Sequence, residues 1–78
     1  MPNKNYEDRL IQIGLKIAYY RKLRGYTQLQ LAEIVDMSVG HLAQIEASGL
    51  VQAMSLKTLF TLADALCVEP YKLLEFEP

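Results

Sequence analysis

Residues 27–46 read TQLQLAEIVDMSVGHLAQIE. Leu31, Ala32 and Val35 fall on one face at helical spacing, Met37 follows Asp36, and Leu42 and Ile45 share a second face. Two short helices joined by a tight turn account for this pattern. Helices meeting over so few residues need a short side chain at their closest approach, and Ala32 supplies it without the helix cost of glycine. Thr27 and Gln30 have the spacing of a capping box, in which each side chain satisfies a backbone N–H that the first helical turn leaves without a partner. Ser38 is positioned to cap the second helix, and Asp36 tolerates the backbone geometry of a turn. The stretch specifies a helix-turn-helix, a motif whose second helix is shaped to lie in the major groove of DNA.

The rest of the chain is read as helix on either side. A first helix is expected from about Glu7 to Arg24, with Leu10, Ile13, Gly14, Ile17, Tyr20 and Arg21 on its core side and Gly25 ending it. Helix two runs from about Gln28 to Val35 and helix three from about Val39 to Ala47. A connection from Ser48 to Ser55 follows, containing Leu50, Val51 and Met54. Ser55 caps a fourth helix whose Leu56, Leu59, Phe60, Leu62, Ala63 and Leu66 form a broad apolar stripe. Glu69-Pro70 opens a short fifth helix, with Leu73 and Leu74 folding back as a lid. No strand or internal repeat is visible. The expectation is an all-α, compact five-helix bundle. Residues 1–12 form an N-terminal extension and the start of helix one, 13–74 the helix-turn-helix domain and 75–78 a short acidic tail.

The 78 residues are 51% hydrophobic, which suits one domain near the size where a single core is marginal. No stretch approaches the roughly 20 apolar residues of a membrane span, and the polar N-terminus lacks the apolar region of a signal peptide. The composition predicts a soluble, cytoplasmic protein with no membrane association. A single cysteine and a single histidine argue against a disulfide or a metal centre, and Cys67 reads as a small residue at the core edge. The net charge of −1 is unevenly spread. Residues 1–30 carry six basic against two acidic side chains, and residues 31–78 carry two against seven. An acidic C-terminal half held away from phosphates is compatible with DNA binding, but the overall field is weak, and an ordinary solvated charge distribution fits as well.

Three segments, IGLKIAYYRKLRGYTQLQLAEIV, MSVGHLAQIE and SLKTLFTLADALCVEPYKLL, together resemble the lambda-repressor-like (Cro/CI-type, Xre) family of helix-turn-helix regulators, in its order and nearly its spacing. The likeness covers about Ile13 to Leu74. It implies a five-helix domain that binds double-stranded operator DNA as a two-fold dimer, each recognition helix in a major groove. Thr27 and Gln28 match the start of helix two, where the family's glutamine bonds a phosphate beside a favourable helix dipole. Ser38, Val39, Gly40, His41, Ala43 and Gln44 match the start and outer face of the recognition helix. Gln44 is the leading base reader, since its amide complements the N7 acceptor and N6 donor of adenine. Val39 and Ala43 suit thymine methyl groups. Against this stands the reading of Gln44 and His41 as ordinary solvent-facing helix residues. Arg21 and Glu46 match a pair that the family uses as a structural salt bridge.

The sequence departs from that pattern in three places. The recognition helix holds no lysine or arginine. The loop after Glu46 is about two residues longer than usual and offers Gly49, Leu50, Val51, Gln52 and Ala53 where relatives carry basic side chains. On helix one, Ile11, Leu15, Ala18 and Tyr19 form an apolar stripe rotated away from the core. That stripe could receive a second copy, the N-terminal segment or the Phe76 tail. Two surfaces are thus candidates for a homodimer: Ile11, Leu15 and Tyr19, or Tyr71, Leu74 and Phe76.

The function expected is a sequence-specific transcriptional regulator, a small repressor or controller on a palindromic operator. The alternative keeps the fold but uses it as a protein-interaction module, such as a toxin-neutralising or developmental partner. No nucleophile–base pair, convergent carboxylates or phosphate-cradling loop points to an enzyme or to a cofactor.

Overall fold

The computed structural model describes the backbone of residues 5–47 and 54–76 and the side chains of residues 7–47 and 54–76. Among these, four α-helices follow one another: α1 (Asn5–Leu23), α2 (Gln28–Ile34), α3 (Val39–Ala47) and α4 (Leu56–Leu66). The fifth expected helix is instead a 3-10 turn, Pro70–Leu74. Pro70 starts it, but Lys72 N–H already bonds the Glu69 carbonyl, three residues back, at 2.9 Å. The backbone is extended again at Glu75. Five residues are too few to establish the longer-range ladder of an α-helix. The expected connection carrying Gly49 to Ala53 lies outside the described residues.

Three of the four helices end in the same motif. After α1, Gly25 N–H bonds Lys22 O at 3.0 Å and Tyr26 N–H bonds Arg21 O at 3.1 Å. After α2, Asp36 and Met37 repeat the pattern onto Glu33 and Ala32, and after α4, Cys67 and Val68 repeat it onto Asp64 and Ala63. This is the Schellman closure, which satisfies carbonyls the helix would otherwise orphan and needs a left-handed residue at its corner. Gly25 (φ 84°), Asp36 (φ 58°) and Cys67 (φ 61°) occupy the corners. The next residue in each case, Tyr26, Met37 or Val68, is a hydrophobe packed against the core. Cys67 is accordingly exposed rather than at the core edge: the helix stops one residue earlier, and the left-handed turn aims its side chain outward.

Ile17, Leu31, Leu42, Leu62, Leu66 and Leu73 are fully enclosed at the centre, each contributing about 1.5–3 kcal/mol through burial. α1 packs on α3, α2 on α3, and the 3-10 turn on both α1 and α4. The stripe on α4 is narrower than expected. Leu59, Leu62, Ala63 and Leu66 are buried, whereas Phe60 is 48% and Leu56 67% exposed. At about 100° per residue, Leu59, Leu62 and Ala63 all lie within about 60° of the direction of Leu66, whereas Phe60 points about 120° from it and Leu56 about 80°. Likewise Leu73 closes the core alone and Leu74 faces out. No helix among the described residues is long and apolar enough to cross a membrane.

Candidate nucleic-acid interface

Each of the two short helices is capped at its start. Thr27 Oγ1 accepts from Gln30 N–H at 3.0 Å and Gln30 Oε1 accepts from Thr27 N–H at 2.8 Å, a complete capping box. Ser38 Oγ accepts from His41 N–H at 3.0 Å and starts α3. Leu31, Ala32, Leu42 and Ile45 are buried between the helices and the core. The capping box, the Ser38 cap and the apolar faces are local consequences of the sequence. The depth at which α3 sits is not.

α3 is fastened to α1 by two contacts. Gly14 faces the α3 backbone so closely that a Cβ there would meet Ile45 O at 2.1 Å. Beside it, Arg21 donates from Nε to Glu46 Oε2 at 2.7 Å and from Nη2 to Oε1 at 3.0 Å, with both residues only 8% exposed. Its Nη1 donates to Tyr26 O at 2.7 Å. Gln28 Nε2 completes the group by donating to Glu46 Oε1 at 2.9 Å. One carboxylate therefore collects α1, the loop after it and the first residue of α2 on the inner side of α3. Among the described residues no buried side-chain nitrogen or oxygen lacks a partner.

With its back fixed, α3 presents Val39, Gly40, His41 and Gln44 to solvent, and Ala43 is half-buried. Ser38 is exposed at its start and Thr27 at the start of α2, while Gln28 is half-buried by its bond to Glu46. A Cβ added at Gly40 would meet nothing within 4 Å. Neither α2 nor α3 has an acidic residue in its own first turn, so neither helix supplies a counter-charge to its own positive dipole end. The bond from Gln28 to Glu46 sets the start of α2 beside α3. Tyr71 and Leu74 are exposed on the 3-10 turn, and Ile11, Leu15 and Tyr19 are exposed on α1. Phe76 lies 5.7 Å beneath the Arg9 guanidinium.

Two basic residues change their meaning in three dimensions. Arg24 donates from Nε to Leu66 O at 2.6 Å and from Nη2 to Cys67 O at 3.3 Å, where it neutralises the negative end of α4. Arg21 is spent on Glu46. The positive surplus of residues 1–30 is thus partly internal. Conversely, Lys57 shares an open groove with Asp36, Ser38, His41, Thr58 and Thr61 beside the start of α3, a neighbour that sequence reasoning missed. Its only sequence signal was its place two residues after the Ser55 cap.

A profile of the helix-turn-helix family matches residues 17–73. Among solved structures, the chain is similar to the restriction-modification controller protein C.AhdI from Aeromonas hydrophila, with 28% sequence identity and a TM-score of 0.75. The similarity covers 82% of this chain and 94% of that one. No curated protein matches the sequence. Capped paired helices, a recognition helix pinned by Arg21 and Glu46, and the match over residues 17–73 lead to one conclusion: the chain belongs to the Cro/CI/Xre-type helix-turn-helix family of DNA-binding transcriptional regulators.

Proposed function

We propose that the protein is a small repressor or controller that binds a palindromic operator as a homodimer, laying α3 in the major groove. The observation that carries this reading is the two-sidedness of α3: Leu42, Ile45 and Glu46 are buried, and Val39, Gly40, His41 and Gln44 are exposed. Gln44 reads an adenine edge, and Val39 and Ala43 meet thymine methyl groups. Ser38 and Thr27, at the two helix starts, sit beside backbone phosphates. The capping box occupies the N–H groups of Thr27 and Gln30, so the first-turn N–H groups of Gln28 and Leu29 are the donors for a phosphate at α2. The Gln28 amide, bonded to Glu46, holds that end of α2 against α3. Lys57 supplies a second phosphate contact from the neighbouring helix. The likeness to a restriction-modification controller supports the controller role.

A selection from random-sequence DNA with the purified protein tests this. A two-fold symmetric site is expected, and Gln44→Ala is expected to lose preference at one base pair of each half-site, worth about 1–3 kcal/mol of discrimination. A second reading, the protein-interaction module, is favoured by the intramolecular bonding of Arg21 and Arg24, which weakens the field available to DNA. No enrichment even at low salt decides for that module.

A further inference from the structure

The exposed apolar stripe on α1 is symmetric about Leu15. Leu15 is 57% exposed, with Ile11 (42%) four residues before it and Tyr19 (59%) four after it. Three residues beyond these, Asp8 and Lys22 are exposed. Read from either end, the spacing is three, four, four, three. At about 100° per residue, all five point within about 40° of the direction of Leu15. Gly14, which marks the side where α3 packs, points about 100° away. Arg9 holds Phe76 on the opposite flank, so Phe76 does not cover the stripe.

We infer that this stripe is an interface with a second copy of the chain, formed by antiparallel pairing of α1 with α1 of the partner. A two-fold interface requires that if residue i meets j, then j meets i. Antiparallel pairing about Leu15 meets that condition: Leu15 meets its own equivalent, Ile11 meets Tyr19, and Asp8 meets Lys22. The apolar centre is then closed at both ends by opposite charges, and a parallel pairing would oppose like with like. A shallow crossing of about 20°, usual between bundle helices, keeps all five in contact. Tyr19 is already braced edge-to-face by Tyr20, ring centroids 5.0 Å apart, which lowers the ordering cost of docking its ring. The seam runs about 21 Å along the helix. So short an interface gives a reversible, concentration-dependent dimer rather than a permanent one. The outer face of α3 lies off the seam and remains open, so the pairing does not depend on how DNA is bound.

Sedimentation of the full-length protein across a concentration series, without DNA, is the test. A monomer–dimer equilibrium is expected, and Leu15→Glu, which sets two carboxylates face to face on the axis, weakens it by more than about tenfold. Asp8→Lys and Lys22→Asp each weaken it, and the double swap Asp8→Lys/Lys22→Asp restores it. In a Cys67→Gly background, Leu15→Cys cross-links to itself under mild oxidation. Ile11→Cys does so only when mixed with Tyr19→Cys. Circular dichroism of each variant verifies that it is folded. A monomer at every concentration, as when the stripe is covered by the chain's own first residues, overturns the inference. So does a dimer indifferent to Leu15→Glu and to the charge swaps, which assigns association to the Tyr71 and Leu74 side.

Discussion

Gly40 stands in the first turn of α3, where glycine forms helix less well than alanine, and nothing in the fold requires it. Its φ is not positive, and a Cβ would enter open space. We propose that its use lies outside the molecule, where a missing side chain would let the α3 backbone approach a DNA strand. Gly40→Ala is expected to raise the melting temperature by a few degrees and to weaken operator binding in the same protein. Unchanged DNA affinity in a titration would refute the close approach. Cys67 is the converse case, a residue with a side chain where the backbone favours none. Holding φ 61° costs a non-glycine residue about 1–2 kcal/mol. Cys67→Gly should therefore stabilise the domain by about 1 kcal/mol, a shift of about 4–8 °C in thermal unfolding for a chain of this size. A lower melting temperature would mean that the thiol makes a contact worth more than the backbone relief.

α3 depends on polar groups from elsewhere in the chain for its position, and Glu46 is their meeting point. Removing one partner of a buried ion pair leaves the other charged and enclosed, at about 3–5 kcal/mol, a large share of the total stability of a small domain. Arg21→Ala and Glu46→Ala are each expected to lower denaturant midpoints by comparable amounts. Arg21→Lys is expected to rescue little, because one ammonium cannot reproduce the three-donor fork to Glu46 and Tyr26. Full stability in the lysine variant would show that charge alone suffices. The pairing of Arg21 with Glu46 was suggested by resemblance. For the third partner, Gln28, the resemblance implies only a phosphate contact, because nothing in its local spacing indicates a bond to a residue in α3.

For the whole molecule, charge counted along the chain overstates what faces DNA. Arg24 caps α4, so it should not contribute counterion release, whereas Lys57 stands beside α3. Measured as the logarithm of affinity against the logarithm of salt concentration, Lys57→Gln should reduce the slope by about one and weaken specific and random DNA alike. Arg24→Gln should destabilise the fold and leave the slope nearly unchanged. The reverse outcome would place the two side chains on each other's surfaces.

Features that act over a few residues could be read directly from the chain. The Thr27–Gln30 box, the Ser38 and Ser55 caps, the Asp36 turn and the two-sided apolar pattern of α2 and α3 depend on spacings of three and four, which helical geometry turns into contacts without outside help. The width of the α4 stripe, the shortening of the last helix to a 3-10 turn and the outward Cys67 could not be read this way. Hydrophobicity marks a residue as able to be buried, but the elements that pack on a helix decide which side is covered, and Phe60 points away from the covered side of α4. Gly14 against Ile45, Arg24 at the end of α4 and Lys57 beside His41 join residues remote in sequence. Their meeting is set by how the helices pack, because a contact between distant segments carries no local periodicity.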